Sequence, residues 1–301
     1  LKTIVYIAGY GRSGSTLLER ILGSNKKLFG LGEVKFLFNS LMDNDSYCSC
    51  GEKILKCDYW SKVIKETNLN DINYLQELER LRRKNEYLHT IIFNNKNEYT
   101  EILNDLYKSF IEYTPTETKY VIDSSKTARD SFFRPFILSK NLNVKVIHLV
   151  RDGRGCMWSN IKGSNRKIEK GLDPKLKFPS LRTAISWSLA NLSPQIFQYK
   201  YSNNYIRVKY EDFVENPDKS LSRISKYLDV DLSEQINMLK KQKEIPLGHQ
   251  LAGNRLRNKK KIILRNDDEW KEKLNLYNRL VFTFFSWPFA LKYKYFFNEK
   301  K

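Results

Sequence analysis

Cysteine and histidine are scarce in this chain, at four and three among 301 residues. Cys48, Cys50, Cys57 and Cys156 are too few to staple a scaffold of this length, so the fold must rest on an apolar core, and a reducing, cytoplasmic setting is expected. No apolar run approaches the roughly 18 residues of a membrane-crossing helix. The opening residues also lack the basic-then-apolar layout of a signal peptide. Leu1 rather than Met stands first, which leaves a removed leader or anchor open. Acid is short relative to base: 34 Asp and Glu face 53 Lys and Arg, a net charge of +19. Such a surface attracts polyanions, anionic lipid or a phosphate-rich cofactor. No internal repeat and no low-complexity linker interrupts the chain.

What is present is a repeating order of strand and helix. Thr3 to Ala8 is a short apolar run ending in Gly-Tyr-Gly, and Ser15 to Leu22 follows with leucine and isoleucine at helical spacing. Tyr120 to Ile122, Val144 to Val150 and Tyr205 to Val208 read as buried parallel strands, each followed by a helix-like stretch. The expected fold is therefore α/β, a P-loop-type parallel sheet flanked by helices, with residues 1–301 forming one domain. Between the first two strands, 43–118 lacks strand signals and carries Leu75, Leu78, Leu81 and Leu88 at helical intervals. This segment is expected to be a helical insertion over one edge of the sheet. Gly163 to Ser180, with Gly171, Pro174 and Pro179 among basic residues, reads as a long mobile loop. The aromatic tail, 268–297, is expected to be helical and to pack on the core rather than on a membrane surface.

Gly9-Tyr-Gly-Arg-Ser-Gly14-Ser15-Thr16 has the spacing of the nucleotide-triphosphate loop, except that Ser15 stands where lysine belongs. Glycines let successive N–H groups turn inward, and the following helix adds its positive N-terminal end, so an anion site forms from backbone alone. Arg12 can supply the cation that the missing lysine would have given. An ATP-using enzyme also wants a strand ending in an acidic residue for magnesium, whereas the strand at Val144 to Val150 ends in Arg151. Eight positions beyond Arg151 lies Ser159, early in a helix. A guanidinium and a hydroxyl at the carboxyl end of a strand suit a second, separate phosphate.

These residues resemble the PAPS-dependent sulfotransferases, where PAPS is 3′-phosphoadenosine-5′-phosphosulfate. Gly11-Arg12-Ser13-Gly14-Ser15-Thr16 looks like their 5′-phosphosulfate loop in its arginine form, as in bacterial, carbohydrate and tyrosylprotein members. Val146 to Ser159 is similar to their 3′-phosphate motif, whose arginine and serine fall on Arg151 and Ser159. Val208 to Val214, containing Tyr210, resembles a further family segment. His249 to Arg257, with Asn254, Arg255 and Arg257, looks like the nucleotide-covering loop of bacterial members. The resemblance implies sulfuryl transfer from PAPS to a hydroxyl of a glycan, lipid or small alcohol, with adenosine 3′,5′-bisphosphate as product and no metal required.

Sulfuryl transfer needs a base for the acceptor proton and cations for the charge that develops on the leaving phosphate. Glu33, in Leu31-Gly-Glu33, follows the first helix closely enough to return to the loop's mouth, and the family resemblance carries the base role to it. Arg12 is expected at the transferring group, and Lys126, in Asp123-Ser-Ser-Lys126, as a second cation at the same sheet edge. His249 is the alternative base, while His148, inside a strand, reads as a core residue. Cys48-Ser-Cys50 and Cys57 leave three readings open: free thiols, a local disulfide or a metal. The single residue between the first pair is shorter than zinc sites usually show, so no metal ligand is assigned. Basic residues crowd 254–265, which suits either the donor's 3′-phosphate or an anionic acceptor; nucleic acid is not an expected partner. The competing functions are a nucleotide-dependent kinase and a non-catalytic polyanion-binding protein.

Overall fold

The computed structural model describes residues 2–43, 45–90, 96–161, 178–253 and 255–296. Its centre is a five-stranded parallel sheet of β1 (Thr3–Ala8), β2 (Leu28–Gly32), β3 (Tyr120–Asp123), β4 (Val144–Val150) and β5 (Tyr205–Lys209), in the order β2-β3-β1-β4-β5. Strands β1 and β4 are apolar along nearly their whole length because helices cover both faces of the sheet, leaving no solvated side to favour alternation. With β1 between β3 and β4, the chain leaves the sheet in opposite directions on either side of it. The crevice at the carboxyl ends of these strands is where such sheets bind ligands.

Along the chain the helices are α1 (Ser15–Leu22), α2 (Leu37–Met42), α3 (Trp60–Glu66), α4 (Ile72–Glu86), α5 (Lys96–Glu112), α6 (Arg134–Leu138) and α7 (Gly153–Ile161). Then come α8 (Pro179–Lys200), α9 (Tyr210–Glu215), α10 (Pro217–Leu228), α11 (Ser233–Lys240), α12 (Trp270–Lys273) and α13 (Leu276–Lys292). None of the described helices is long and apolar enough to cross a membrane. One sheet face packs Val5, Ile7, Ile147 and Leu149 against Leu18 and Ile21 of α1 and Leu221 and Ile224 of α10.

The described residues of 43–118 include the helices α3, α4 and α5, which cover a sheet face where an edge was expected. Trp60, Leu78, Tyr107 and Phe110 share a core with Ile4, Tyr6 and Ala8 of the central strand. Its apolar residues recur on one side of α4, where Leu75, Leu78 and Leu81 are buried, and a stripe that wide is best buried against the middle of a sheet. Asp71 caps α4 by accepting from the backbone of Asn73 and Tyr74.

Strand β2 was not expected. Its sequence, Leu-Phe-Gly-Leu-Gly, has the glycine content that weakens strands, yet Gly30 is needed where β2 passes over α1. A Cβ there would lie 2.8 Å from the Gln250 amide and 3.0 Å from Glu19 Oε1. The expected loop at 163–180 falls almost wholly outside the described residues, and its last two positions already belong to α8. In the tail, Phe282 and Phe289 pack with Trp187 as expected, whereas Phe284 and Trp287 are 74% and 55% exposed.

Candidate functional site

The loop after β1 meets α1 at Gly14, whose φ of 88° places it in the left-handed region. A side chain there would also collide with the Tyr210 ring, 2.6 Å from where its Cβ would sit. The first turn of α1 carries no acidic residue, so its N–H groups and dipole are left to favour an anion. Ser13, Ser15 and Thr16 are buried in this turn. Arg12 has a positive φ of 68°, and its carbonyl oxygen accepts a hydrogen bond of 2.8 Å from Arg151 Nη1.

Arg151, at the end of β4, thus ties the segment after that strand to the loop after β1. Its Nη2 donates to Asp267 Oδ2 at 3.0 Å, and its guanidinium stacks on the Tyr210 ring at 4.6 Å. Tyr210 itself donates its hydroxyl to the Arg265 carbonyl at 3.2 Å. Packed between Gly14 and Arg151, the tyrosine holds the loop after β1 and the end of β4 together. Ser159 lies on α7, half-buried.

Glu33 sits directly after β2 and is buried. Its Oε1 pairs with the Lys126 ammonium. Lys126 has a positive φ of 66°, and its carbonyl accepts from the Tyr6 hydroxyl of β1. The next residue, Thr127, is stitched to the phosphate loop: Gly9 N donates to its hydroxyl at 3.0 Å, and its own N–H donates to Gly9 O at 3.2 Å. Gly253 shows how these parts converge. A Cβ on it would lie 3.3 Å from both Glu33 Oε1 and Thr16 Oγ1, so carboxylate and loop hydroxyl border one small gap.

The covering segment reaches that gap by pairing with β2. Glu33 N donates to Leu251 O at 2.8 Å, and Leu251 N donates to Leu31 O at 2.7 Å. Gly32 is required at this crossing, since with a φ of 84° its Cβ would lie 2.1 Å from Leu251 O. Arg257 is half-buried, and burial pulls its pKa down, while Cys48 and Glu33 act in the opposite direction. Its carbonyl accepts from Arg20 Nη1. Asn254 lies outside the described residues, as does the side chain of Arg255.

Among known families, a model described as the sulfotransferase family matches residues 5–234. The chain belongs to the sulfotransferase family. Comparison with curated proteins gives no match. Solved structures share the fold: a sulfotransferase domain from the curacin biosynthetic pathway aligns with a TM-score of 0.58 at 19% identity, over 98% of this chain and 98% of that one. A sulfotransferase domain from the olefin synthase of Synechococcus PCC 7002 aligns with a TM-score of 0.52 at 18% identity, over 96% of each chain. Mouse sulfotransferase SULT7A1, solved with PAP, aligns with a TM-score of 0.51 at 14% identity, over 97% of this chain and 83% of that one. The kinase alternative is not favoured by these likenesses.

Two parts of this sulfotransferase's site were not legible from motifs. Glu19, fully buried on α1, accepts from Gly32 N at 2.6 Å and from the Ser124 hydroxyl at 2.6 Å. It thereby joins the ends of β2 and β3 just before Glu33 and Lys126. Asp123 is the other. It receives Ser125 N at 2.8 Å and Arg134 Nε at 3.0 Å, and the Tyr107 hydroxyl as well. A buried polar residue inside a predicted helix or strand end was the available signal for both, but the partners come from distant segments.

His249, expected as the alternative base, lies against the cysteines. Its Nδ1 faces Cys57 Sγ at 3.2 Å and its ring stacks on Phe29, which places the imidazole beside the cysteine cluster. His148 is a core residue as expected, bonded to Tyr205 and Asn191 and held by burial at about 3.

Burial pushes the Glu19 carboxyl from its ordinary 4.5 to about 8, against the pull of the Ser124 and Gly32 hydrogen bonds. A folded pKa above the unfolded one means that folding takes up a proton. The stabilisation is whole below about pH 4.5 and is lost as pH rises through about 8. Calorimetry across that window is expected to show a falling melting temperature that Glu19→Gln flattens, because the amide is neutral throughout. Equal slopes in the two proteins would remove Glu19 as the source.

Proposed function

We propose that this sulfotransferase moves the sulfuryl group of PAPS to an acceptor hydroxyl by in-line displacement, with Glu33 as base and Arg12 and Lys126 as cations. The observation that carries the reading is the placing of Glu33 Oε1 and Thr16 Oγ1 about one small gap, with the Lys126 ammonium against the carboxylate. The residues fit the donor: an acid-free helix start and Arg12 suit its 5′ end, and Arg151 with Ser159 suits its 3′-phosphate. When bound, PAPS supplies a sulfuryl group on an activated phosphate.

Glu33 takes the acceptor proton as the acceptor oxygen bonds to sulfur. The S–O bond to the donor breaks, and its electron pair stays on the 5′-phosphate of adenosine 3′,5′-bisphosphate. Arg12 and Lys126 stabilise that growing charge in a site partly closed to water. Tyr210 and Arg151 hold the loop in register, so that its N–H groups need no rearrangement during transfer. Such pre-set geometry is where most of the rate gain of a displacement arises.

The acceptor is an alcohol of a glycan, lipid or small molecule. Exposed Lys259, Lys260 and Lys261 beside the covering segment suit one that carries negative charge. No disulfide joins the four cysteines, which accords with a reducing, cytoplasmic setting.

Adenosine 3′,5′-bisphosphate is expected to raise the melting temperature without magnesium, by about 2.7 kcal/mol of stabilisation at a hundred times its dissociation constant. Stabilisation by magnesium-ATP alone would favour the kinase reading. Labelled PAPS offered with glycans, lipids and small alcohols then identifies the acceptor class by which product carries label.

A further inference from the structure

The cysteine segment and the covering segment meet at a point that the transfer chemistry does not use. Cys48, Cys50, Cys57 and His249 each aim one donor atom at a common centre, and these four atoms lie within 4.8 Å of one another. Cys50 Sγ is 3.7 Å from Cys57 Sγ. His249 Nδ1 is 3.2 Å from Cys57 Sγ and 4.0 Å from Cys48 Sγ. A tetrahedral ion with Zn–S bonds of about 2.3 Å and a Zn–N bond of about 2.0 Å sets S···S at about 3.7 Å and S···N at about 3.5 Å. These three spacings fall around those values, and the remaining ones stay within 4.8 Å. We infer that Cys48, Cys50, Cys57 and His249 form a structural zinc site that fastens the covering segment to the start of the helical insertion.

The surroundings suit a closed metal site rather than a reactive thiol. Cys48 and Cys57 are fully buried and Cys50 is partly so. Cys48 to Gly51 is a tight turn in which Gly51 N donates to Cys48 O at 3.1 Å and Gly51 has a φ of 101°. That turn explains how two ligands separated by one residue can both point inward, the spacing that argued against zinc in the sequence. Second contacts orient the histidine: Trp60 Nε1 donates to its carbonyl at 2.7 Å, and Phe29 and Tyr59 flank its ring. Such outer contacts are what hold a ligating imidazole in place. Ser49 adds to the lock by bonding Gly248 O at 2.7 Å and Gln250 Oε1 at 2.8 Å.

A disulfide accounts for less, since it would join two sulfurs and leave the third thiol and the imidazole converging without cause. Thiols are weak hydrogen-bond donors, so hydrogen bonding alone does not draw three of them to one ring. Four ligands of this kind with no open position make a structural site, and the soft sulfur set selects zinc over magnesium or calcium. The metal would act two residues before Leu251, the residue that pairs with Gly32 next to Glu33. It would therefore hold Gly253 against Glu33 and Thr16, and so close the site over the donor.

Metal analysis of the full chain, purified under reducing conditions without added metal, is expected to find close to one zinc per chain. Cys57→Ser and His249→Ala should each lose most of it. Cobalt exchanged into the wild-type protein should show thiolate-to-cobalt charge transfer and the intense visible bands of tetrahedral coordination. Zinc removal by a chelator should weaken adenosine 3′,5′-bisphosphate binding severalfold while the far-ultraviolet dichroism persists. A folded wild-type protein with no zinc and no cobalt bands overturns the site. So does a mass and thiol titre showing two of these cysteines oxidised to a disulfide in protein prepared without reductant.

Discussion

Glu33→Gln is expected to lower kcat by roughly 10²-fold or more, the usual cost of losing a positioned acid–base group. The amide keeps the size of the side chain and its place after β2, where Glu33 N remains bonded to Leu251 O at 2.8 Å. What it loses is the ability to accept the acceptor's proton and the charge that faces Lys126. Donor affinity should stay near that of the wild type, because the groups proposed to bind the donor's phosphates belong to the loop after β1 and to Arg151. Titration calorimetry with adenosine 3′,5′-bisphosphate separates the two effects. A variant with near-normal kcat removes Glu33 from the chemistry, and one that binds the bisphosphate poorly assigns it to donor binding.

Asp123→Ala is expected to cost about 3–5 kcal/mol of stability, the range for stripping one partner from a buried ion pair. Asp123 and Arg134 are both essentially buried, with Arg134 Nε 3.0 Å from the carboxylate. The same carboxylate accepts Ser125 N at 2.8 Å, so truncation also orphans a buried N–H at the start of the Lys126 turn. Arg134 keeps Glu86 as a partner, which limits the loss to the lower part of what an isolated charge would suffer. Chemical denaturation should show a lower midpoint with an unchanged slope. A loss under about 1 kcal/mol would show that the network is replaceable, since an ordinary hydrogen bond is worth that much. The variant's residual activity should also fall, because Ser125 Oγ accepts Lys35 N at 2.9 Å and so links the turn to the segment after Glu33.

How far the site was legible varies with the kind of residue. Arg12, Gly14, Thr16 and Arg151 stood out because a phosphate loop is local: its glycines, its cation and its helix lie in one short stretch. Glu33 was legible only as a neighbour of that stretch, and its pairing with Lys126, 93 positions away, came from the parallel sheet. Tyr210 was expected at the donor, and its packing under Gly14 and Arg151 is a contact that only the fold brings about. Strand β2 went unseen because its glycines oppose strand propensity, and the close passage over Glu19 and Leu251 that requires them is a tertiary matter.

The cysteines show the same division most clearly. Spacing rules weigh ligands along the chain, and Cys48, Cys50 and Cys57 gave three ligands at an unpromising interval. The fourth, His249, is 192 positions beyond Cys57, and no periodicity or motif joins them.

The sequence by itself determined the alternation of strand and helix, the anion loop from Gly9 to Thr16 and, through its motifs, sulfuryl transfer. The first two rest on interactions between residues a few positions apart, which local backbone preferences and side-chain spacing already encode, and the third on the resemblance of those motifs to the family. Only the tertiary structure decided that the insertion covers a sheet face, that Lys126 meets Glu33 beside Thr16, and that His249 meets three cysteines. Those contacts are made between strand ends and loops that the parallel order β2-β3-β1-β4-β5 gathers at one edge, and burial of the two sheet faces is the free energy that drives the sheet's assembly.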